Sequence, residues 1–131
     1  MKKYLYLFVL ISLFSFNVAI AQQKAVTLTY LKSAEGEKNN LKEFLIRNWL
    51  AMDSIAKNQQ LIEDYALWQN KTENSDWDFI VFVQYKNEQG YEGIAAAFEK
   101  IRSEHKKVLI QNKDLKQLGR ISKSESVLTD Y

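Results

Sequence analysis

The chain has 131 residues, with 18 Lys plus Arg against 16 Asp plus Glu, one His, no Cys and no Pro. Without cysteine there is no disulfide framework, thiolate metal site or cysteine nucleophile, and one His excludes a multi-histidine metal site within a protomer. The formal charge of +2 looks mildly basic, but both surplus cations, Lys2 and Lys3, stand at the N-terminus.

Those lysines precede an apolar run from Leu5 to Phe14, and Ala19-Ile20-Ala21 follows. A short positive segment, an apolar core and an A-x-A step are the parts of a secretory signal peptide. Residues 1–21 are read as that signal, cleaved after Ala21, in a bacterial periplasmic or secreted protein. Ser12 interrupts the run, Ser15 and Asn17 follow it, and it is short for a membrane span of about 20 residues, so no stable membrane insertion is expected after cleavage. The remaining residues 22–131 carry 16 charges of each sign and suit a single domain. Zero net charge argues against nucleic-acid binding, which needs a cationic field.

Residues 25–31 alternate Val26, Leu28 and Tyr30 against Thr27, Thr29 and Leu31, the period of a strand. Residues 33–40 are polar and contain Gly36; Asn39 or Asn40 is positioned to cap a helix. From Leu41 the apolar positions Phe44, Leu45, Trp49, Met52, Ile55 and Ala56 mark one helical stripe. Two strand-like runs follow, 61–69 and 77–86, joined by the polar stretch 70–76. In the second run Trp77, Phe79, Val81, Val83 and Tyr85 share one face, while Ile80 and Phe82 share the other. A second helix is expected on the stripe Ile94, Phe98, Ile101, His105 and Val108. Residues 120–129 offer a last strand with few apolar members, Ile121, Val127 and Leu128.

This order, βαββαβ, makes an α+β fold: a four-stranded antiparallel sheet with two helices on one face. Two helices cover only one side of the sheet. The apolar residues on its other side then require a second copy, so a homodimer is expected.

With the string Trp77-Asp78-Phe79-Ile80-Val81-Phe82-Val83-Gln84-Tyr85-Lys86 before a short turn and the second helix, the chain resembles the dimeric α+β barrel superfamily. The resemblance is one of layout and spans residues 25–129. It implies ferredoxin-like protomers whose sheets pack back to back in a homodimeric barrel. That superfamily holds cofactor-free monooxygenases, haem-degrading enzymes, stress-responsive proteins and members without known activity. The haem-degrading members carry a His on the second helix, to which His105 corresponds. They also carry a first-strand Asn and a Trp ten residues before the His, where this chain has Thr27, Thr29 and Ala95. The resemblance therefore implies no cofactor beyond haem held by His105.

His105 is the candidate ligand or general base, against the plainer role of a half-buried His bonded to a neighbour near a helix end. Trp49, Tyr65, Trp68, Tyr85 and Phe98 are candidates to line a site for a small apolar ligand between helices and sheet, although such aromatics more often form plain core. Asp76 and Asp78 flank a polar loop and read as solvated. Residues 53–99 are acidic and residues 106–123 basic, a polarity that would suit an acidic partner or a simple balance of surface charge.

Overall fold

The computed structural model describes residues 22–130; the export signal read in residues 1–21 lies outside the described residues. Strand β1 (Lys24–Ser33) leads into a long helix, α1, built of Lys38–Leu45, a π-helical segment Ile46–Leu50 and Ala51–Asn58. Then come β2 (Ile62–Gln69), β3 (Phe79–Tyr85), a 3-10 turn Gly90–Gly93, helix α2 (Ala95–Glu104), a one-turn helix α3 (Leu115–Leu118) and β4 (Gly119–Thr129). The sheet order is β2-β3-β1-β4 and every neighbouring pair is antiparallel. This is the ferredoxin-like α+β arrangement that the order of periodicities implies.

Registers assign the faces. Opposite Val83, Val81 and Phe79 on β3 stand Thr27, Thr29 and Leu31 on β1, and Tyr65, Leu67 and Gln69 on β2. Their side chains point toward the helices. The buried apolar residues there form two groups. Leu31, Leu41, Phe44, Leu45, Phe79, Val81, Ile110 and Leu118 pack together at one end. Ala25, Ala56, Ile62, Tyr85 and Ile101 pack at the other.

The opposite face carries Val26, Leu28 and Tyr30 beside Ile80 and Phe82, with Ala66, Trp68 and Val127 from the edge strands. Trp68 stacks on Phe82 with ring centroids 5.1 Å apart, yet remains 47% exposed.

Several local expectations are corrected. Helix α1 begins at Lys38 with Glu37 in the N-cap position, and neither Asn39 nor Asn40 caps it. Asn40 instead donates to the Glu37 carboxylate, which also binds Lys113. Asp78 is 6% exposed rather than solvated. It accepts from the Ser33 backbone N–H at 2.9 Å and from the Ser33 hydroxyl, with Lys32 and Lys38 at 3.5 and 3.7 Å. Burial pushes its pKa up, but the Ser33 bonds and the two lysines outweigh that and leave it lowered.

The weakly patterned stretch before β4 holds α3, opened by a capping box. The Asp114 carboxylate accepts from the Leu115 N–H at 2.7 Å, and the Gln117 side chain accepts from the Asp114 N–H at 3.0 Å. At Gly119 a Cβ would stand 2.5 Å from the Lys32 carbonyl oxygen, so only glycine lets β4 start this close to β1.

Candidate functional site

A cavity of about 460 Å³ lies between the helix-facing side of the sheet and helices α1 and α2, where the two core groups meet. Its floor is Thr27, Thr29, Val81, Val83 and Tyr85; Trp49, Met52, Phe98 and Ile94 form apolar walls. Asn48, Asp53, Tyr91, Arg102, His105 and Lys107 supply its polar groups. A mostly apolar hollow with a few placed polar groups has the character of a small-molecule site.

The π-helical segment decides which α1 residues face this cavity. A regular helix turns about 100° per residue, so the stripe from Leu41 would carry Ile55 into the core and Asp53 to its margin. A π turn inserts an extra residue and sets the following residues back by about that angle. The result is visible in burial: Ile55 is 41% exposed, Ala56 is fully buried and Asp53 is 6% exposed. The bulge thus exchanges an apolar residue for a carboxyl on the inward face.

Burial lifts the Asp53 pKa from 3.8 to about 7, with no opposing hydrogen bond or cation among the described residues. It sits inside a continuous helix, because Leu50 and Ala51 both have right-handed helical backbone, so no free helix N-terminus stabilises its charge. Tyr85 on β3 is raised as well, first by desolvation, with the Asp53 carboxylate adding to the rise and the Thr27 hydroxyl opposing it. Tyr91 is raised by desolvation and by its bond to Glu99 at 2.9 Å. Both phenols are neutral at ordinary pH.

Asn48, 2% exposed, ties the segment after α2 to α1. Its amide nitrogen donates to the Phe44 carbonyl at 3.0 Å and the Val108 carbonyl at 2.9 Å, while its oxygen accepts from the Val108 N–H at 2.8 Å. These partners assign the amide orientation. The His105 Nε2, 3.0 Å from the same oxygen, is therefore the ring's donor, and a neutral ring keeps only Nδ1 as base.

His105 does not ride the helical stripe expected of it. Helix α2 ends at Glu104, and His105 is extended at φ −75° and ψ 123°. The Asn48 bonds to Val108 hold residues 105–108 alongside α1, and these long-range bonds override the local period.

Of the residues singled out from sequence, Trp49, Tyr85, Phe98 and His105 come together around the cavity. Tyr65 shares the helix-facing side but lies on edge strand β2 outside the lining, with Lys57 5.9 Å from its ring centre. Trp68 stands on the opposite face of the sheet, because residues three apart in a strand point to opposite sides. Asn48 and Asp53 are absent from the sequence candidates. A polar residue in phase with Leu41, Phe44 and Leu45 was a readable signal for Asn48, whereas Asp53 comes inward only through the bulge. In the basic stretch, Lys107 pairs with Asp114, Lys113 with Glu37 and Lys123 with Glu125, as balanced surface charge would. Among the described residues no group of three His, Cys, Asp or Glu side chains converges as metal ligands would.

No protein-family model and no curated protein matches the sequence. Two solved structures resemble the chain. One is a dimeric protein of unknown function and ferredoxin-like fold from Bacteroides fragilis NCTC 9343. It is 12% identical with a TM-score of 0.46, covering 83% of this chain and 96% of that one. The other is a mutant of SnoaB, a cofactor-independent oxygenase from Streptomyces nogalater. It is 11% identical with a TM-score of 0.41, covering 83% of this chain and 91% of that one.

Proposed function

We propose that the chain is an exported, homodimeric binding protein that holds one small, largely apolar molecule per protomer between sheet and helices. The observation that carries this reading is the cavity of about 460 Å³, walled by Trp49, Met52, Val83, Tyr85 and Phe98 and sited where the sheet is already covered. A volume in the range of roughly 300–1,000 Å³ suits a ligand of one to three rings. The lysine-led apolar run of residues 1–21 supports export, and the uncovered apolar side of the sheet supports pairing of two copies.

A second reading, a monooxygenase-like enzyme, draws support from His105 on the cavity wall. As a base it would act through Nδ1, because Nε2 is committed to Asn48. The same commitment disfavours haem, whose iron would have to be reached by the remaining nitrogen. Oxygen uptake with a hydroquinone, lost in His105→Ala, would establish the enzyme reading in place of simple binding.

Titration of the purified protein with 1-naphthalenemethanol, followed by calorimetry, tests the binding reading. Saturable binding is expected, weakened at least about tenfold by Val83→Phe, which fills the floor of the cavity. Binding unaffected by that substitution would place the probe elsewhere and contradict the reading.

A further inference from the structure

The charges around the cavity are not evenly satisfied. Arg102 is held by Glu99 at 2.7 Å and Lys107 by Asp114 at 2.9 Å, each pair on the solvent side. Asp53 is the exception. It is nine-tenths buried, it borders the cavity, and among the described residues no cation or hydrogen-bond donor lowers its pKa. Tyr85 on β3 is near enough to feel its charge, and Met52 on α1, Ile62 on β2, and Tyr91 and Phe98 near and on α2 line the same cavity. Its titratable and charged neighbours across the cavity are Tyr85 and Tyr91, both held neutral, then His105, Arg102 and Lys107.

A buried carboxyl is costly unless a partner meets it, and natural interiors seldom keep one without use. The aromatic rings nearby present electron-rich faces, which attract cations. Resting on the reading of this cavity as a ligand site, we propose that its ligand is a lipophilic organic amine whose ammonium group pairs with Asp53 while its apolar body lies among Trp49, Tyr85 and Phe98. The ammonium supplies the partner that the protein withholds from Asp53. The apolar body fills the rest of the cavity, which has no other uncompensated charge among the described residues.

The pairing sets a direction with pH. The empty site titrates near pH 7, whereas an aliphatic ammonium stays charged to about pH 10. Raising the pH from 6 to 8 ionises Asp53 and strengthens amine binding. A neutral ligand that accepts a hydrogen bond from the protonated carboxyl would show the reverse trend.

Calorimetry with 1-naphthylmethylamine and its uncharged counterpart 1-naphthalenemethanol, at pH 6 and pH 8, separates the possibilities. The amine is expected to bind at least about tenfold tighter than the alcohol at pH 8, and this preference should shrink about tenfold at pH 6. Asp53→Asn, nearly the same shape, should bring the amine down to the level of the alcohol at both pH values. Equal binding of the two probes at pH 8, or an amine preference that survives Asp53→Asn, overturns the amine assignment while the cavity remains a ligand site. An amine affinity that rises on acidification also overturns it. Neither probe binding overturns the cavity reading itself. The wild-type pH trend decides the matter even if the variant folds poorly.

Discussion

Asp53 and Asn48 are the two polar residues whose burial demands a physical reason, and they differ in how they are satisfied. Asn48 uses its whole amide: two carbonyls accept from it and an N–H donates to it. Asn48→Ala leaves the Val108 N–H and the Val108 and Phe44 carbonyls short of a partner, at an expected loss of about 2–3 kcal/mol in urea unfolding. An unchanged midpoint would mean that residues 105–108 are held by something else. Asp53 has no protein hydrogen-bond partner among the described residues and opens onto the cavity, and its pKa of about 7 makes stability depend on pH. A carboxyl raised on folding binds more protons in the folded than in the unfolded chain between about pH 4 and 7, so stability falls as pH climbs through that window. The full shift corresponds to about 4 kcal/mol lost by pH 8. Asp53→Asn removes that loss but buries an amide, so a net gain of about 2 kcal/mol at pH 8 is expected, reversing to a loss of about 2 kcal/mol toward pH 4. Equal pH dependence in variant and wild type would show that Asp53 is ionised and solvated after all.

At the scale of elements, strand periods and turn residues made β1, β2, β3 and the course of α1 readable, because those patterns record burial of one face. Phe79, Val81, Val83 and Tyr85 share one side as expected, whereas Trp77, ahead of β3, packs edge-on against Tyr30 on the other. The features that escaped all depend on contacts distant in sequence. Asp78 is drawn in by Ser33, and α2 stops at Glu104 because Asn48 captures Val108. The π segment leaves the apolar spacing of the sequence helical, so Ile55 reads as core and Asp53 as surface until the bulge reverses them. Deleting Leu50 should restore a regular turn and leave residues 51–58 facing as they do, because it removes the one residue that the bulge absorbs. NMR titration of the Asp53 carboxyl should then still find it raised to about 7. A return to the ordinary carboxylate range would show that Asp53 does not keep its inward place without the bulge.

For the whole molecule, the uncovered face of the sheet is the feature that a lone protomer leaves unexplained. Trp68, Phe82, Tyr30, Leu28 and Val127 present an apolar surface with Lys123, Glu125 and Asp64 around it. Such a surface on a small domain marks an interface, and closed two-fold pairing hides it symmetrically. Light scattering at tens of micromolar should return twice the protomer mass, and Trp68→Glu should halve it without loss of the circular dichroism spectrum. A wild-type monomer at that concentration would remove the dimer. The proposed dimer and the cavity use opposite sides of the same sheet, so pairing would not fill the cavity.

The central claim is that a small apolar molecule sits between this sheet and its helices. Contacts between bound 1-naphthalenemethanol and the protein, measured as intermolecular nuclear Overhauser effects, test it most directly. The probe protons should meet the Val83 methyls and the Phe98 ring. Contacts confined to Trp68 and Phe82 would place the molecule on the other side of the sheet and contradict the claim.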